Sequence, residues 1–140
     1  MIYVLAALGG ALGAVARWGV ATALPHARGA WPWATVFVNV TGCLVIGALL
    51  AVLLARFPTS PWMRPFFAVG VLGGYTTYST FAVDAVQLAR AGHGGLAVGY
   101  VLVSVVGGVL AVVVGLLAGR AVVRAVETVD AELRAGEGLT

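Results

Sequence analysis

The sequence predicts an all-α integral membrane protein: four transmembrane helices with a break in the third. Of its 140 residues, 61% are hydrophobic and 9% charged, with a mean hydropathy of +1.05, whereas about a quarter of a soluble domain is charged. Four apolar stretches, about 2–24, 34–55, 66–89 and 96–119, are separated by short turns carrying Pro, Gly and Arg. A crossing takes roughly 20 residues, so residues 1–120 form one membrane domain with no room for a soluble catalytic domain. The third stretch holds Gly73-Gly74-Tyr75-Thr76-Thr77-Tyr78-Ser79-Thr80-Phe81, a polar run where lipid offers no hydrogen-bond partners.

Residues 2–24 form the first span, closed by Pro25, with Gly9 and Gly13 at a spacing that lets helices approach closely. Ala21-Thr22-Ala23 looks like a cleavage site. Residues 1–5 carry no basic side chain, however, and the apolar run exceeds a usual signal core, so a retained helix is expected. Its one charge, Arg17, either anchors the helix by snorkelling or raises the anion concentration at a vestibule.

A loop with His26, Arg28, Pro32 and the interfacial Trp31 and Trp33 leads to the second span, ended by Arg56 and Pro58. Asn39 is its strongly polar side chain. Cys43, the single cysteine, is expected to pack. Thr59 to Pro65 turn the chain into the third span, where Asp84 is expected to cap the helix or pair with an arginine. After the turn Arg90 to Gly95, the uncharged fourth span presents Tyr100, Ser104 and Gly108 four residues apart. In the polar tail, 121–140, Val122, Val126, Val129 and Leu133 would share one helical face, lying at the interface or on a neighbour. A solvated tail is the alternative.

The basic residues are eight arginines, and a net charge of +3 spread along the chain does not suggest nucleic-acid binding. Arg56, Arg64, Arg120, Arg124 and Arg134 fall on one side of the membrane with the amino terminus, and Arg28 and Arg90 on the other. So weak a bias permits insertion in both orientations, and hence an antiparallel, dual-topology homodimer. Catalysis is not expected, since His26 and His93 lie in loops, no metal-ligand cluster is visible and Ser79 has no base beside it.

The polar run admits two readings. Hydroxyls competing for carbonyls beside two glycines break a helix, and such breaks expose carbonyls and helix ends to ions. Alternatively, the helix is only kinked, with hydroxyls bonded to its own carbonyls. Asn39 must face protein or water, either as glue between helices or at a site. Tyr78 and Phe81, three apart, share a face on which their rings pack or turn positive edges towards an anion.

Together these residues resemble the small fluoride channels called Fluc or CrcB. The matching pieces are Gly9 to Arg17, Val38-Asn39-Val40-Thr41-Gly42, the run Gly73 to Phe81, and Tyr100 with Ser104. The resemblance implies passive export of fluoride across the prokaryotic plasma membrane through two pores, each lined by both subunits of an antiparallel homodimer. It implies a structural sodium ion on the two-fold axis, held by the backbone carbonyls of Gly73 and Thr76. It places Asn39, Tyr78 and Phe81 beside the pore, Ser79, Thr80, Tyr100 and Ser104 along the path, and Arg17 at the vestibule. Tyr78 stands where the family commonly has Phe, and Asp84 where it often has Glu. The alternative, a small multidrug-resistance-like proton-coupled exporter, needs a carboxylate in the first span, and residues 2–24 contain none. A noncatalytic subunit of a larger complex would explain the small-residue packing but not the clustered hydroxyls and aromatics.

Overall fold

Proline punctuates the helices. Helix α1 (Ile2–Ala23) stops at Leu24, whose N–H still reaches the Val20 carbonyl at 2.9 Å, because Pro25 has no N–H to extend the ladder. Helix α2 (Trp33–Arg56) starts on Pro32 and ends at Phe57, ahead of Pro58. The computed structural model describes residues 1–27 and 29–137, so Arg28 and the final tail residues 138–140 lie outside the described residues.

The third stretch is composite. Arg64–Leu72 winds as a π-helix with Pro65 in its first turn, and α3 (Gly73–Tyr75) adds one turn. Thr76 (φ −80°, ψ 161°) and Thr77 (φ −148°, ψ 119°) are extended, and α4 (Tyr78–Arg90) follows. Helix α5 (Gly94–Glu137) has 44 residues, about 66 Å at 1.5 Å per residue. Taking Arg64–Arg90 as one span, four helices are long and apolar enough to cross a membrane, and the chain is a multi-pass integral membrane protein.

One helix, α5, covers both the fourth span and residues 121–137. No Gly or Pro falls between Arg120 and Arg134, and the residues there sustain a helix. Val123 is buried, and an Arg56–Asp130 ion pair at 3.6 Å ties the extension to the end of α2. The face of Val122, Val126, Val129 and Leu133 is exposed, neither covered by this chain nor solvated as an unstructured tail.

The helices pair in two parallel sets, α1 with the π-helix and α3, and α2 with α5. Lipid supplies no hydrophobic drive for helix association, so close backbone contact must supply it. Along the first seam a Cβ added to Gly13 would overlap the Val71 carbonyl, and along the second a Cβ on Gly115 would overlap that of Leu44. Helix α4 closes against α5 through Leu88, Ala97 and Tyr100, with Trp31 and Phe81 packed on that cluster. Leu8, Leu12 and Val15 of α1 and Val109, Val113 and Leu117 of α5 stay exposed, as expected of surfaces meeting lipid or another chain.

Gly13→Ala and Gly115→Ala are each expected to destabilise the fold by about 1–3 kcal/mol, because a backbone must shift to admit the methyl group. Gly19→Ala, with nothing within 4 Å of the added atom, is expected to match the parent. Thermal loss of the monodisperse peak in detergent measures all three.

Candidate functional site

The site begins with Asn39. Its Nδ2 donates to the Thr77 carbonyl at 2.9 Å, and its Oδ1 accepts from the Thr77 N–H at 2.8 Å, so one side-chain amide satisfies both polar groups of one peptide position. The consequences spread along the chain. In a continuous helix the Thr77 N–H would serve the Gly73 carbonyl, and the Thr80 N–H that of Thr76. The first is turned to Asn39, and the second goes to the Thr77 hydroxyl at 3.1 Å.

The carbonyls of Gly73, Gly74, Tyr75 and Thr76 therefore all lose the donors that a continuous helix would bring them, since α3 ends at Tyr75 and α4 begins at Tyr78. The Leu72 carbonyl, by contrast, takes both the N–H and the hydroxyl of Thr76, each at 2.9 Å. Arg17 reaches the Gly74 carbonyl through Nε at 3.1 Å. The guanidinium is thus turned inward onto the end of α3 and caps a helix C-terminus, where a cation is favoured.

Thr77 is the hinge of the local structure, and nothing in the sequence distinguished it from its neighbouring hydroxyls. It caps α4, and it lines two spaces. The larger, about 410 Å³, is bounded by Asn39, Cys43, Gly73, Thr76, Tyr78, Phe81 and Ser104, among mainly apolar walls. The smaller, about 60 Å³, brings Arg17 and Thr80 together with Thr35 and Thr77. The Ser104 hydroxyl is buried without a hydrogen-bond partner, leaving a donor facing or near the larger space that the protein itself does not use.

Tyr100 and Ser79 stand apart from that cleft. Ser79 is exposed on the first turn of α4. Tyr100 is fully buried, and its hydroxyl donates to Asp84 Oδ2 at 3.4 Å. The same oxygen accepts from the Thr35 hydroxyl at 2.7 Å. Asp84 therefore neither caps a helix nor pairs with an arginine among the described residues: it sits mid-helix in α4, buried, taking hydroxyl protons from α2 and α5. Burial of a carboxylate favours hydrogen-bonded partners at close range, and two hydroxyls supply them. Thr35 was missed from the sequence, although it lies one helical turn before Asn39 on the same face of α2.

The aromatic residues join the two parts. Tyr78 and Phe81 share a face, with centroids 5.9 Å apart, and Phe81 lies 5.3 Å from Tyr100. Chemically the ensemble offers neutral donors, ring edges and unengaged backbone carbonyls, and one guanidinium held back on a carbonyl. Among the described residues no three His, Cys, Asp or Glu side chains converge. An anion would meet amide and hydroxyl donors without a trapping charge.

Comparison with known proteins follows the same lines. The family described as "CrcB-like protein, Camphor Resistance (CrcB)" matches residues 4–116. The chain is 46% identical over 99 residues to the fluoride-specific ion channel FluC 2 of Streptomyces avermitilis, a match covering 71% of this chain and 63%, under two thirds, of that protein. It is 45% identical over 120 residues to the fluoride-specific ion channel FluC of Rhizobium meliloti, covering 85% of this chain and 96% of the relative. With FluC of Chloroflexus aurantiacus it shares 42% identity over 115 residues, 81% and 91% of the two chains.

Asn39→Leu is expected to leave the Thr77 N–H and carbonyl without partners, at about 1–3 kcal/mol for each group left unsatisfied. Asn39→Asp is expected to be at least as damaging, since its second oxygen would face the Thr77 carbonyl. Melting of the purified protein in detergent, followed by tryptophan fluorescence, checks both.

Proposed function

Since the chain belongs to the CrcB family, we propose that it is a fluoride channel of the prokaryotic plasma membrane. It passes the ion by electrodiffusion through two pores of an antiparallel homodimer. The observation that carries this reading is the double hydrogen bond from Asn39 to Thr77, which fixes the extended Thr76–Thr77 pair as a working helix break beside the cleft.

Fluoride is small and tightly hydrated, so a pore must replace water with close donors while holding the ion weakly enough to release it. Asn39 engages one of its two amide hydrogens on Thr77, and the second is available to an anion. Ser104 brings a hydroxyl that no protein group uses, and the rings of Phe81 and Tyr78 bring positive edges. Thr80 and Arg17 at the smaller space form the vestibule. Ser79 and Tyr100 act at the margins of the path: Ser79 from the exposed surface, Tyr100 by setting the Phe81 ring.

A structural sodium ion fits the backbone. Gly73 and Thr76 are among the four consecutive positions, Gly73 to Thr76, whose carbonyls have lost their helical donors, and hard cations prefer oxygen ligands. Two copies related by a two-fold axis would supply four such oxygens. When bound, the ion adds a fixed positive charge near the break. Arg17, by occupying the Gly74 carbonyl, keeps that oxygen out of the set and fixes the end of α3. The exposed apolar faces of α1 and α5 leave room for both lipid and a second copy.

Proteoliposomes loaded with fluoride are expected to release it on addition of a potassium ionophore, whereas chloride-loaded vesicles retain their ion. Electroneutral release, or equal release of chloride, would overturn the reading. Asn39→Ala is expected to lower the fluoride rate strongly without loss of dimerisation. Replacing sodium with a bulky organic cation throughout purification is expected to lower the melting temperature of the dimer, and unchanged melting would argue against the cation site.

A further inference from the structure

We propose that Trp31, in the loop before α2, is a positioning residue for permeation: through Tyr100 it sets the placement of the Phe81 ring beside the cleft. The inference rests on the fluoride-channel reading and names a residue outside the polar run.

Trp31 stands perpendicular to Tyr100, with centroids 6.0 Å apart and planes at 89°. Tyr100 in turn packs 5.3 Å from Phe81 at 36°. The three rings form an unbroken row from the membrane-face loop to the site. Tyr100 has little freedom within that row. It is fully buried, and its hydroxyl end is held by Asp84. A ring tethered at its hydroxyl can still tip about that end, and the aromatic groups that limit the tipping are Trp31 and Phe81. A shift of Trp31 is therefore passed to Phe81.

The loop is built to hold Trp31 still. Pro32 beside it is fully buried, and the Trp33 N–H donates to the Trp31 carbonyl at 3.0 Å. Gly29, with φ +80°, lies so close to the His93 ring that an added Cβ would come within 3.1 Å of Nδ1, which seats the loop against the turn before α5. The Trp31 Nε1 atom is buried with no hydrogen-bond partner. No hydrogen bond orients the indole, so its placement comes from ring packing, and a buried donor is tolerated to keep a flat ring there. A phenyl ring should serve the same purpose, and a branched aliphatic side chain of similar bulk should not.

The test compares fluoride efflux per folded dimer for the parent, Trp31→Phe and Trp31→Leu in the same vesicles. Trp31→Phe is expected to conduct like the parent. Trp31→Leu is expected to conduct about threefold to tenfold more slowly, the range that one aromatic pair supports, with the elution profile of the parent. A Leu variant at the parental rate overturns the proposal. So does a Phe variant as slow as Leu, which would assign the effect to the N–H, and so does a Leu variant that yields no folded dimer, which would make Trp31 purely structural. A parent that passes no fluoride removes the functional reading, and this inference with it. A conducting parent matched by Trp31→Leu removes the inference alone.

Discussion

The pairing of the Asn39 amide with the Thr77 peptide governs the rest of the site. In water an extended dipeptide between two helices would be solvated at little cost. In a bilayer its N–H and carbonyl need fixed partners, and a single amide on a neighbouring helix meets both needs at 2.9 and 2.8 Å. Because the amide takes the Thr77 N–H, α3 ends, and because the Thr77 hydroxyl takes the Thr80 N–H, α4 begins. Both events follow from the orientation of one residue. The cleft, the caps and the unengaged carbonyls are downstream of it.

Much of this was legible in the sequence, for a physical reason. Polar groups are rare in lipid-facing helices, so Asn39 and the run from Gly73 to Phe81 stood out against an apolar background, and prolines and arginines marked the ends of the spans. Partners were less legible. That Asn39 meets Thr77, of all the hydroxyl residues, depends on how closely α2 approaches, and Gly42 sets that distance: a Cβ there would collide with the Thr76 side chain. Arg17 looked like an anchor or a vestibule charge because its acceptor, a backbone carbonyl 57 residues away, leaves no trace in composition. Asp84 was hidden in the same way, since its partners Thr35 and Tyr100 come from two other helices. The change in composition at Arg120 is a different boundary from the end of a helix, which α5 reaches only at Glu137.

Two kinds of surface divide the molecule. Where helices of this chain meet, glycines bring backbones together along α1 with the third stretch and along α2 with α5. Elsewhere large aliphatic side chains point outward. The residues that line the larger space lie between these regimes, in the gap that α2, the α3–α4 junction and α5 leave open. Helix α4 leans on α5 through bulky residues, Leu88 and Tyr100, whereas those two seams use glycine.

The uninterrupted course of α5 also bears on how the molecule can be observed. The stretch from Arg120 to Glu137 belongs to one helix, so its tip stands about 25 Å further along the axis than Arg120. An epitope or fluorophore joined at that tip would ride on a stiff arm, clear of the headgroups, and report which leaflet the arm crosses. A chain inserted either way round would display such arms on both faces of a vesicle. A reagent that cannot cross the bilayer would then count the two populations directly.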